Sequence, residues 1–367
     1  MKRNVSIDYL KIFSMILVIL YHVTIYGINP TQVTGNGIIL TIINILKCIS
    51  IICVNCFILI SGYFMCTRTI KYKKIFGLWL HVEAFSLGIY LVLCIIPELG
   101  ITFDSKTFIK LMFPVLSNQY WFFTNYLLLV IVAPILNIII QNVSKQKYEI
   151  ILLVGIVVFS VLPTINIFGD PFGTNKGFSI IWFVMLYLIA AYVRIYPLPR
   201  VKYGLLYSVT TIVLFIAITS CHYIASVFPY AMAISNLLLT YNSILVVVAS
   251  VSIFVTAVTS GSKKEKQYKI DYIIAKIASL SFGVYLLHEH PQIRDILWNE
   301  WVRLMDYAHN PLLFCLRIIS STAIIFTIGI ISFYVVDRVI AKIVFCLAPV
   351  LDKFMTTISN KYLMKRK

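Results

Sequence analysis

Residues 5–27 read VSIDYLKIFSMILVILYHVTIYG, and this stretch decides the fold. It is apolar enough and long enough to cross a hydrocarbon core of about 30 Å as a helix. Following Lys2-Arg3, it has the outline of a secretory leader. It is too long for one, however, it carries Asp8 and Lys11, and no small-residue cleavage site follows, so it reads as a first membrane helix. On a helix, the eleven steps from Lys11 to His22 overshoot three turns by only about 20° and separate the two residues by about 16 Å. Asp8, one turn before Lys11, joins the same face. A carboxylate, an amine and an imidazole in one stripe are costly against lipid, so this face must meet protein or a wet cavity.

The rest of the chain continues the pattern. Of 367 residues, 60% are hydrophobic and 12% charged, against about half and roughly a quarter in a soluble domain. Apolar runs recur at 38–63, 75–97, 119–142, 149–168, 178–196, 203–224, 236–259, 272–290 and 311–347. They do not alternate in polarity, which excludes a barrel. The expected fold is therefore all-α, a polytopic integral membrane protein with about ten transmembrane helices, forming a single domain over 1–367 that ends in a short basic tail at about 352–367. Thr107 to Leu116 reads as a short external helix or re-entrant element. The last run is long for one span, so the chain is expected to leave the membrane around Asp337-Arg338 and continue as an interfacial helix.

The net charge of +17 is explained by position. With a cytosolic amino terminus and alternating spans, cytosolic segments hold twenty lysines and arginines and external ones five. This is the positive-inside pattern, with both termini cytosolic in a multi-pass protein of the cell membrane. It requires lipid as a partner and no nucleic acid. Seven of the eight cysteines sit in apolar runs. Cys53-Val54-Asn55-Cys56 has redox or metal spacing but no second ligand pair, so packing roles are expected and no metal site.

Ionisable residues inside spans are the functional candidates. His22, Lys47, His288 and Arg317 fall at similar outer-half heights on four different spans, and each has the alternative of snorkelling or capping a neighbouring helix on its own. His81 and Glu83 lie low in the third span above the loop basic residues Arg68, Lys71, Lys73 and Lys74. That cluster is either a topogenic signal or a phosphate-binding rim.

Several motifs, taken in order, resemble the membrane acyltransferases of the acyltransferase-3 type. They are Ile7-Asp8-Tyr9-Leu10-Lys11 with ten residues intervening before His22, Phe57-Ile58-Leu59-Ile60-Ser61-Gly62-Tyr63-Phe64, Tyr120-Trp121-Phe122-Phe123, and Pro134-Ile135-Leu136-Asn137. Leu280-Ser281-Phe282-Gly283-Val284-Tyr285-Leu286-Leu287-His288 and Tyr334-Val335-Val336-Asp337-Arg338 complete the set. The resemblance implies a ten-helix fold, a cytosolic acyl-coenzyme A donor, no permanently bound cofactor, and a reaction-centre histidine at His22. It also implies transfer of an acyl group, acetyl in the first instance, to a cell-surface glycan or lipid-linked sugar. Two positions depart from the family pattern. Lys71 stands where many members have a second arginine, which weakens the case for bidentate phosphate contact there. Residues 122–126, after Trp121, lack the glutamate that members acting with a fused external domain carry.

These readings combine into one mechanism. On the resemblance, the donor is expected to keep its phosphates among Arg68, Lys71, Lys73 and Lys74 while its thioester reaches His22, the expected general base on the Lys11 face. Lys11 and His288 are the further catalytic candidates, His288 as an oxyanion stabiliser, and Asp8, Lys47, Trp121 and Arg317 are candidates for charge stabilisation or the acceptor site. A transporter or flippase of an anionic lipid-linked sugar would use the same cations, but no Gly/Pro-broken pair of spans in matching halves supports it. A glycan polymerase would need a larger external loop than this chain offers.

Overall fold

The computed structural model describes residues 4–28, 36–68, 72–96, 98, 100–260 and 268–363. Among these residues there is no strand. The chain opens with α1 (Val5–Tyr26), α2 (Gly37–Ser50) and α3 (Cys53–Met65), the last two forming one bent span. Next come α4 (Tyr72–Ile95), the short α5 (Ser105–Met112), α6 (Trp121–Asn142) and α7 (Lys145–Ile165), which holds a π turn at Val157–Val161. They are followed by α8 (Ile180–Ile195), α9 (Tyr203–Ile224), α10 (Ala231–Leu238) and α11 (Ile244–Thr259). The closing elements are α12 (Tyr268–Leu280), α13 (Phe282–His288), α14 (Pro291–Asp295), a π-helical segment Ile296–Val302 and α15 (Pro311–Leu363).

Eight of these helices or helix pairs are long and apolar enough to cross a membrane, and α8 and α11 are shorter apolar helices. Together they occupy the ten expected runs. The protein is an all-α polytopic membrane protein.

α1 lies inside the bundle, packed against α2, α3, α11, α12, α13 and α15. Its start is fixed by Asn4, whose side chain accepts from the Ser6 N–H at 3.1 Å and donates to the Ala257 and Val258 carbonyls at the end of α11. This is an N-cap that also ties two elements together.

The run 236–259 breaks into α10 and α11, a departure from the expected single span. Its hydropathy is continuous, so the break comes from tertiary contacts. The Tyr241 N–H donates to the Lys176 carbonyl at 3.1 Å. Gly177, at φ 89°, permits the approach, because a Cβ there would sit 2.6 Å from that of Tyr241. Buried Asn55 of α3 secures the other side. It donates to the Tyr241 carbonyl at 2.7 Å and Ser250 Oγ at 3.2 Å, and accepts from Trp182 Nε1 at 3.1 Å. Replacing Asn55 with leucine strips these groups of their partner at a cost of about 1–3 kcal/mol per orphaned group. The thermal midpoint of the purified protein is expected to fall, and an unshifted midpoint would show that the network carries no stability.

α13 and α15 meet through small residues. A Cβ on Gly283 would lie 2.1 Å from that of Phe333, so only glycine allows the backbones to approach this closely. α15 runs on without interruption through Asp337-Arg338, so the expected departure there is not marked by a break. At about 1.5 Å per residue a 53-residue helix far exceeds the membrane core, and part of it lies outside.

Candidate active site

Lys11, Met15, Val18 and His22, the stripe at helical spacing on α1, line one wall of a cavity of about 150 Å³. Ser61, Trp121, Tyr241 and Tyr285 help to close it. The stripe derived from periodicity thus faces an internal space. Trp121 is held in an aromatic cluster, 4.4 Å from Phe178 and 6.1 Å from Tyr241 between ring centroids. The break between α10 and α11 brings Tyr241 there.

His288 approaches His22 from α13. Its Nδ1 bonds the Val284 carbonyl one turn back on its own helix, so Nδ1 carries the proton and Nε2 presents a lone pair. That lone pair lies 2.9 Å from His22 Nδ1, which must then be the protonated nitrogen of His22. The order of donors fixes the tautomer of both rings, as ring hydrogens are assigned from their network. With Nδ1 committed, Nε2 is the basic atom left on the His22 ring, which lines the cavity.

Glu289, 5% exposed, brings a carboxylate oxygen to 3.2 Å from the same Nδ1. It lies off the N–H direction, so Oε1 has no directed hydrogen bond among the described residues, yet it is close enough to respond to charge on the ring. His22, His288 and Glu289 present ligand atoms within 4.8 Å of one another, a donor set that could hold zinc. A metal between the histidines would have to break the 2.9 Å bond, and the tautomer order matches proton transfer instead.

The other candidates fall elsewhere. Arg317 does not join His22. Its Nε donates to the Val302 carbonyl at 2.9 Å and Nη2 to that of Trp301, with the guanidinium over Trp301 and Tyr307. The carbonyl end of a π segment leaves acceptors unpaired, and Arg317 supplies donors to them. Lys47 sits in the last turn of α2, half-buried and outside the cavity lining. Asp8 is half-buried in the first turn of α1, also outside that lining. Of the basic loop, Arg68 is exposed with its guanidinium over Phe64, Lys73 lies in the first turn of α4, and Lys71 and the side chain of Lys74 lie outside the described residues. His81 is tied to the Gly77 carbonyl and, at 3.0 Å, to Asp337. Arg194, Lys276 and Arg338, like Arg68, pack their charged ends over aromatic rings.

Sequence reasoning passed over Glu289, although an acid between two histidines at the end of an apolar run, His288-Glu289-His290, is a readable signal. It also passed over Tyr26 and Trp298, ordinary aromatics until seen beside the histidines. No curated protein and no solved structure matches the chain. A family model described as an acyltransferase domain matches residues 4–331, a span that takes in α1, the cavity, the histidine pair and most of the membrane part of α15. The chain belongs to that acyltransferase family.

Proposed function

We propose that the protein moves an acetyl or related acyl group from cytosolic acyl-coenzyme A to a hydroxyl of a cell-surface glycan or lipid-linked sugar, with His22 as general base. The observation that carries this reading is the cavity wall itself. Lys11 and His22 stand about 16 Å apart on one helix face, a reach comparable to the pantetheine arm, and both line the same space. The donor's phosphates would stay among Arg68, Lys71, Lys73 and Lys74, with Lys11 as the cation in the cavity wall. The acceptor oxygen attacks the thioester carbonyl while His22 Nε2 takes its proton. A C–O bond forms, the C–S bond breaks, and the proton passes from His22 to the departing thiolate. Trp121 and its neighbours exclude water from the thioester.

The test is transfer by the purified protein. Acetyl-coenzyme A and surface polysaccharide from cells lacking the gene should yield acylated polysaccharide and free thiol in equal amounts. Absence of both would leave the transporter reading in its place. Neutralising Arg68 and Lys71 together is expected to weaken donor binding at least tenfold without loss of insertion, and unchanged donor affinity would make the cluster purely topogenic. The orientation is open to a separate check. Single cysteines at Lys145 and Lys264 should be shielded from an impermeant thiol reagent in intact cells and one at Lys176 should react; the reverse pattern would put the donor site on the wrong side.

A further inference from the structure

A second recess of about 690 Å³ opens beyond His22, at the end of α1, lined by Tyr26, Trp298, Asn299, Glu300, Arg303 and Asp306 among others. It is separated from the Lys11 cavity by four rings in a closed circuit. His22 lies 5.4 Å from Tyr26 and 5.1 Å from His288, His288 lies 6.4 Å from Trp298, and Trp298 lies 6.5 Å from Tyr26, all between centroids. His22 belongs to the cavity wall and Tyr26 and Trp298 to the recess wall.

The geometry points to this recess as the binding site for the sugar portion of the acceptor, a reading that rests on the function proposed above. Three observations converge on a neutral, polyhydroxylated ligand. First, Trp298 is 1% exposed, lines the recess, and its Nε1–H has no hydrogen-bond partner among the described residues. A buried indole N–H normally finds an acceptor, and a ligand hydroxyl oxygen would be one. Second, the rim offers an amide, two carboxylates and a guanidinium, with Arg303 already paired to Asp306 at 2.8 Å. That balance leaves no surplus positive charge for a phosphate, whereas hydroxyls can donate to the carboxylates and accept from the amide. Third, the partly exposed Tyr26 ring in the recess wall, backed by buried Trp298, gives the apolar C–H side of a sugar a surface to pack on. Trp298 and Asn299 lie in the π-helical segment Ile296–Val302, which ends in left-handed Arg303 at φ 45° and is held by Arg317. Arg317 is thus a positioning residue for the recess wall. A hydroxyl on a sugar seated here needs only to pass between Tyr26 and Trp298 to reach His22.

The test uses intact cells whose copy of the full chain is cysteine-free, or carries in that background Asn299→Cys or Lys106→Cys. Incorporation of isotope-labelled acetate into surface polysaccharide is followed by mass spectrometry before and after a bulky, membrane-impermeant methanethiosulfonate. Modification at Asn299→Cys should lower incorporation at least tenfold, while modification at Lys106→Cys, on α5 away from the recess, should not change it. Trp298→Phe, which removes the N–H and keeps a ring, should lower incorporation severalfold, and it carries the test if unmodified Asn299→Cys is inactive. Undiminished incorporation after modification of Asn299→Cys, failure of the reagent to reach that cysteine from outside, or full incorporation by Trp298→Phe would overturn the proposal. His22→Ala cells made in parallel separate the two readings. If they still incorporate label, the function fails; if they do not while modified Asn299→Cys does, only the recess fails.

Discussion

Replacing His22 with alanine is expected to lower acyl transfer by about 10²–10⁴-fold, the usual worth of a general base, while the chain stays inserted and folded. The residue removed is one ring in a wall that already borders empty space, so little packing is lost. His22→Gln keeps a polar side chain but offers no comparable base, and should be nearly as inactive. The bond order from Val284 through His288 to His22 adds a gradation. His288→Ala removes the acceptor that holds His22 Nδ1–H, leaving the base present but its tautomer unfixed, so the loss should be smaller than for His22→Ala. Purified His22→Ala protein that transfers at the wild-type rate would end the assignment.

The second large effect is expected at Glu289. When Nε2 takes a proton the His22 ring becomes a cation, and the carboxylate 3.2 Å from Nδ1 is then an ion-pair partner formed only as the reaction proceeds. Interactions that strengthen in the transition state lower its barrier. Glu289→Gln keeps the shape and removes the charge, and transfer should fall by about 10²–10³-fold, as for loss of one preorganised electrostatic contact. Stability should move the other way or not at all, because the resting protein no longer buries a carboxylate with an unpaired oxygen. Transfer near the wild-type rate, or a collapse in thermal midpoint alongside the loss of activity, would reduce Glu289 to a structural role.

Much of the architecture was legible in the sequence because membrane helices announce themselves by composition. The stripe from Lys11 to His22 was legible for a more local reason: on one helix, position is set by a fixed rotation per residue, and the cavity lies on the face so computed. What failed was anything requiring lateral knowledge between helices. Height along the membrane grouped His22 with Lys47, His288 and Arg317, and only His288 meets it, because depth says nothing of azimuth. Hydropathy likewise could not see that Lys176, Gly177 and Asn55 would pull Tyr241 out of a continuous apolar run. Glu289 carried a signal in its two flanking histidines, but only the fold shows that one of them bonds His22 and the other the Ser86 carbonyl, which brings the carboxylate to the His22 ring.

The four-ring circuit around His22 also bears on energy conservation in the cell. A membrane protein with two internal spaces lying end to end is one water file away from being a leak, and moving one charge through it would dissipate about 2.3 kcal/mol per 100 mV of membrane potential. Tyr26, His22, His288 and Trp298 stand where the cavity and the recess would otherwise join. With these rings in contact the two spaces stay separate, so the residue proposed as the proton acceptor would also be part of an electrical seal.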